Sequence, residues 1–153
     1  MGEKFSGFAG GIASGTNKTL LNLFVAGATP TRRPSIYDIV VASVATPADQ
    51  ACKFYAGRTT AVGTEASGYT PNNLDPGGPA GDGDFGVGHS AEPTYTSNKE
   101  LLVWSLNQRA TFRWVAAPGS ELRGAATQNN GIGLKSASST STQAHEMTVL
   151  YEE

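Results

Sequence analysis

The stretch "GDGDFG", Gly81 to Gly86, has the G-x-G-x-x-G spacing of a dinucleotide-binding turn, and "DFG", Asp84 to Gly86, matches the metal-binding motif of protein kinases. A dinucleotide turn works because a buried strand enters it and a helix leaves it, with the helix N-terminus holding the pyrophosphate. Here "NNLDPGGPA" precedes the turn and "VGHSAEPTYTS" follows it. The first is no buried strand and the second starts no helix. Asp82 and Asp84 would repel a phosphate. The kinase reading fails on size, at 153 residues, and on the lack of an "HRD" loop. A phosphate loop fails as well, since Gly10 to Gly15 has the spacing but Thr16 stands where Lys is required. No nucleotide cofactor is expected.

The other groups capable of chemistry are few. Asp75, Asp82, Asp84, Glu92 and His89 lie close in sequence and raise the question of calcium. An EF-hand loop starting at Asp82 would need an oxygen ligand at Gly86 and a Glu where Pro93 sits. A solvated loop, with Gly giving backbone freedom and Asp making turns, is the favoured reading, and no metal is expected. His145-Glu146 begins like a zincin, but Val149 replaces the second His. No G-x-S-x-G elbow occurs. A triad or a carboxylate pair assembled from distant residues stays open, without a positive signal. No catalytic residue is assigned. Cys52, the one cysteine, sits in "QACKFYAG" and reads as a buried, inert thiol.

Period-two alternation dominates the chain, bounded by Gly, Pro, Asn and Ser clusters. "TLLNLFVAG" places Leu21, Leu23 and Val25 on one face, and "ELLVWSL" does the same for Leu102, Trp104 and Leu106. "HEMTVLYEE" aligns Met147, Val149 and Tyr151. "SIYDIVVASVA" separates Ile36, Val40 and Val44 from Tyr37, Ile39 and Val41. "ACKFYAGRTT", "ATFRWVA" and "GIGLKS" add further strands, and "KFSGFAG" adds a strand or an arm. Thr46, Pro47 and Asp49 suggest one helical turn. Two segments lack strand pattern: "TNKT" and residues 65–97. "TSTQA" after Ser136 reads as a short connection. Seven or eight strands without alternating helices predict an all-β, antiparallel β-sandwich or jelly roll with long Gly-rich loops. The division expected is an N-terminal arm or first strand over 1–18 and one sandwich domain over 19–153.

Only 16% of residues are charged, and the net charge is −2. The eleven Lys and Arg are scattered, so no basic stripe for nucleic acid appears. Low charge suits a surface covered by partners, and equally an ordinary β domain rich in turns. No apolar run reaches signal-peptide or membrane length, so the sequon at Asn17 reads as accidental and intracellular synthesis is expected. Trp104, Phe112 and Trp114 read as core rather than as a sugar platform. Arg109, Arg113 and Tyr95 read as exposed.

"TRRPSIYDIVVASVATPADQA" (31–51), "HSAEPTYTSNKELLVWSLNQRATFRWVAAPGSEL" (89–122) and "NGIGLKS" resemble a family of small structural proteins encoded by tailed bacteriophages. The resemblance covers most of the chain beyond Ala28, and departs in Gly77 to Gly88. It implies a head decoration, or cement, protein: a sandwich that trimerises on the outside of the capsid, made in the host cytoplasm and located on the virion. The implied partners are the major capsid protein and further copies of the chain, with no nucleic acid and no membrane. The candidate capsid contacts are Phe5 and Phe8 of the arm, with Gly10 and Gly11 as hinge, and the pair Arg32-Arg33. The competing expectation is a receptor- or carbohydrate-binding module of a phage tail or fibre, using Tyr69, Phe85 and Tyr95.

Overall fold

A computed structural model describes residues 2–44, 46–137 and 143–153. Most of the Ser/Thr-rich connection after Ser136 lies outside them. The described residues form twelve strands: β1 (Lys4–Ala13), β2 (Lys18–Val25), β3 (Ser35–Ser43), β4 (Ala51–Ala61), β5 (Ser67–Tyr69), β6 (Asn72–Asn73), β7 (Gly83–Val87), β8 (Thr94–Asn107), β9 (Phe112–Val115), β10 (Leu122–Arg123), β11 (Gly131–Ser136) and β12 (Ala144–Glu152).

Two antiparallel sheets pack face to face. The first runs β10-β3-β12-β1-β6, with β9 also on β3, and the second runs β5-β7-β2-β11-β4-β8. Within this order β1 pairs β12, β2 pairs β11, β3 pairs β9 and β10, and β4 pairs β8. The chain is thus one long hairpin folded over on itself, the strand order of a jelly roll. The strands β5, β6 and β7 are an insertion between β4 and β8 that extends both sheets at one side.

Alternation placed most of the core. Leu21, Leu23, Val25, Met147, Val149 and Tyr151 are buried, as are Trp104 and Leu106. Cys52 is buried in the same cluster. Four readings are corrected. In β3, Ile36, Ile39 and Val41 all face the core. The reason is an irregularity at Tyr37, where Ile36 opposes Tyr151 and Asp38 opposes Leu150, which resets the alternation by one residue. The segment over 65–97 is no long loop, since it holds β5, β6, β7 and the start of β8. Residues 46–50 form no helical turn. Instead the Ala48 N–H donates to Gln108 Oε1 at 2.9 Å, and the Gln108 N–H to the Gln50 carbonyl at 2.9 Å. Finally, of the two expectations for the N-terminus, strand or arm, the structure shows the strand. Gly10 and Gly11 form a bulge between Ala9 and Ile12, with Gly11 at φ 66°, rather than a hinge.

Candidate functional site

The Gly-rich turn does hold an anion, and the anion is the chain's own. The Glu153 carboxylate accepts from the Asp82 N–H at 2.6 Å and the Gly83 N–H at 2.7 Å. Burial raises the Glu153 pKa, while these two donors and the Arg32 guanidinium oppose the rise. A Cβ on Gly83 would lie 2.6 Å from Glu153 Oε1 and 2.8 Å from the Tyr151 hydroxyl, so only glycine fits there. The turn then enters β7, which pairs with β2 and buries Phe85. Its glycines thus serve close packing of the chain on itself.

The acidic residues of this region are spent in the same way. Asp82 Oδ2 accepts from the Thr31 and Arg32 N–H groups at 3.0 and 3.2 Å. Asp75 Oδ1 accepts from Gly77, and Asp84 Oδ1 from Phe85. Glu92 accepts from the Thr19 N–H at 2.8 Å and pairs with Lys18 at 3.4 Å. Among the described residues no group of three or more His, Cys, Asp or Glu converges as a metal site would require. We expect ATP, NAD, Ca²⁺ or EDTA to move the melting temperature by less than about 1 °C. A ligand at 100 times its dissociation constant adds about 2.7 kcal/mol, worth several degrees for a chain of this size. A shift of that size with Ca²⁺ would restore Asp82 and Asp84 as ligands.

Both histidines are buried, and burial lowers both pKa values. His145 packs edge-on against Phe54 at 5.0 Å, with its Nδ1 2.8 Å from the Gln143 carbonyl. Lys18 Nζ donates to the His89 carbonyl. Each ring is a packed neutral group in its own surroundings.

The four candidate capsid contacts separate. Phe5 is 2% exposed and stacks on Tyr151 with centroids 5.3 Å apart, so its ring is core and reaches no partner. Phe8, three residues on, faces outward and is 56% exposed. The Tyr69 hydroxyl bonds both the N–H and the carbonyl of Phe8, holding β1 where β6 ends. Burial pushes the Tyr69 phenol up to about 12. Arg33 is exposed, but Arg32 is half-buried, with Nη1 lacking a hydrogen-bond partner among the described residues. Arg32 thus turns partly inward, where its charge is felt by Glu153, while Arg33 faces solvent, so the two side chains do not form one exposed patch.

The aromatic loop set of the carbohydrate reading is also revised. Phe85 is fully buried, and Tyr69 stacks on it at 5.5 Å. Tyr95 is half-buried, not exposed, its hydroxyl 2.9 Å from Thr19 Oγ1. Arg109 is exposed as expected, and Arg113 binds Asp38 through Nε at 3.2 Å and Nη2 at 2.6 Å.

Of the four large apolar side chains that stay exposed among the described residues, Phe8 and Val115 lie on the outer face of the first sheet, Val103 on β8 of the second, and Leu74 just after β6. Phe8 opposes Thr148, which opposes Val40, which opposes Arg113. One register along, Ser6 opposes Leu150, which opposes Asp38 and then Val115, itself 56% exposed. Phe8 stands between two hollows. One, of about 230 Å³, is floored by Val40, Ala42 and Thr148. The other, of about 620 Å³, is lined by Ile12, Tyr69 and Val87. Alternation along β1, β3 and β9 carried the signal for this face, but which strands lie side by side does not follow from any one of them. Comparison with protein-family models, curated proteins and solved structures finds no match to this chain.

Proposed function

We propose that the chain is a non-enzymatic virion structural protein, a decoration or cement protein that binds the outside of a phage head as a symmetric trimer and stabilises it. The observation that carries this reading is the outer face of the first sheet. There Phe8 and Val115 stay exposed on either side of Val40 and Leu150, around the Asp38–Arg113 ion pair. An apolar face with a fixed polar mark suits a specific protein partner. The stretches over 31–51 and 89–122, which resemble phage head proteins, support the same reading. A jelly roll also leaves free sheet edges, which a symmetric assembly covers. The partners are the major capsid protein and two further copies of the chain.

Removing residues 2–11 is no clean test, because it deletes most of β1 and with it Phe5 and Ala9 of the core. Phe8→Asp combined with Val115→Asp changes only exposed positions. We expect the purified double variant to keep its melting temperature and lose at least tenfold in binding to undecorated heads. Linked contacts raise avidity by about 10²–10⁴, so loss at each subunit is amplified in a trimer. Undiminished binding by the double variant would remove this face from the reading. A monomer by native mass spectrometry, absent from virions, would defeat decoration itself.

A further inference from the structure

The outer face of the second sheet, on the opposite side of the sandwich, carries a cavity of about 380 Å³ built from three strands. Lys135 of β11 lies beside Tyr55 of β4 on one side and Thr19 of β2 on the other. Tyr95 of β8 reaches across them. A Cβ on Gly133 would lie 2.2 Å from the Tyr95 hydroxyl, and one on Gly57 3.2 Å from its Cδ1. The ring thus lies flat on two bare glycines, its hydroxyl held by Thr19.

Lys135 Nζ sits 4.6 Å from the Tyr55 ring centroid and 4.1 Å from that of Tyr95. The two rings stand 64° apart and form a floor that attracts the ammonium. Among the described residues no carboxylate pairs with Lys135. Burial disfavours its charge, and among the described residues no ion pair offsets that cost. The wall opposite is a break in the β4–β8 ladder. Thr59 opposes Tyr95 while Gly57 opposes Glu100, so residues 96–99 bulge outward, with Asn98 at φ 54°. Such bulges re-aim side chains, and this one brings Ser97, Asn98 and Glu100 to the cavity.

We propose that this cavity binds a carboxylate-bearing sugar, such as a uronic acid unit of an acidic glycan. The sugar carboxylate sits on Lys135. Its hydroxyls donate to Glu100 and the Asn98 amide oxygen, and its apolar edge meets the tyrosine rings. Glu100 makes the site unsuited to a bare inorganic anion, which has no donor to offer it. The volume suits a small ligand. Attachment through the first sheet would leave this cavity facing away from the head.

The test is an amide NMR titration of the full chain with sodium glucuronate, glucose and sodium acetate. Glucuronate is expected to shift Asn98, Glu100 and Lys135, with a dissociation constant at least tenfold below those of glucose and acetate. Lys135→Met, which keeps the aliphatic stem, is expected to weaken glucuronate at least tenfold without changing the melting temperature. Glu100→Gln, on the exposed wall, is expected to weaken it independently, and stands as the deciding variant if Lys135→Met unfolds. Absent glucuronate binding, binding no tighter than that of glucose or acetate, or full binding by the folded variants would each overturn the proposal.

Discussion

Trp104→Ala is expected to lose about 3–5 kcal/mol of stability, the usual cost of removing a buried large aromatic. Trp104 is 7% exposed and lies between Phe54, at 5.7 Å and 17° interplanar, and Phe112, at 4.9 Å and 8°. Phe54 belongs to the second sheet and Phe112 to the first, so this stack joins the two layers. Removing its middle member leaves a cavity and severs that connection. Total stabilities of domains run to about 5–15 kcal/mol, so the variant should melt far below the parent or fail to fold. Trp114 is only half-buried and should cost about 2 kcal/mol or less on the same change. Trp104→Phe should be milder than either, because it keeps a ring in the stack and removes a buried indole N–H that has no hydrogen-bond partner among the described residues. Urea unfolding of the three variants tests the order. Equal losses for Trp104→Ala and Trp114→Ala would show that the sheets do not depend on this stack.

Gly7→Ala should be the most damaging single-methyl change in β1, costing about 3 kcal/mol, the upper end of what overpacking does. Gly7 faces the core between Phe5 and Ala9, and its added Cβ would lie 2.0 Å from Phe85 Cε2. That ring cannot retreat, since it is fully buried between Tyr69, at 5.5 Å, and Tyr151, at 5.8 Å. Gly10→Ala is the control, because a Cβ there meets nothing within 4 Å. The pair also distinguishes a strand from an arm. If residues 2–11 were free in solution, both changes would leave stability alike; the fold requires that only Gly10→Ala does.

The sequence by itself determined the class of fold and most of the inward faces. Alternation in β2, β8 and β12 is a local property, since successive side chains leave a strand on opposite sides whatever the strand pairs with. That is why Leu23, Trp104 and Val149 were legible as core. The Gly-Asp turn was legible only as a failed nucleotide site and a solvated loop, because its real partner, Glu153, is some seventy residues away. Strand β7 was illegible for a similar reason. Gly83, Asp84 and Gly86 have poor strand propensity, and pairing with β2 imposes the conformation. Irregularity hid the rest. A reset at Tyr37 moved Ile36 onto the face of Ile39, and a bulge at Gly10 and Gly11 resembled a hinge. The Tyr55–Tyr95–Lys135 cavity draws on three strands far apart in sequence. Its glycines, Gly57 and Gly133, lie within the strand stretches "ACKFYAGRTT" and "GIGLKS" with no local sign of a function. Only the tertiary structure decided that they make room for a ring, because a bare backbone signals space without saying what fills it.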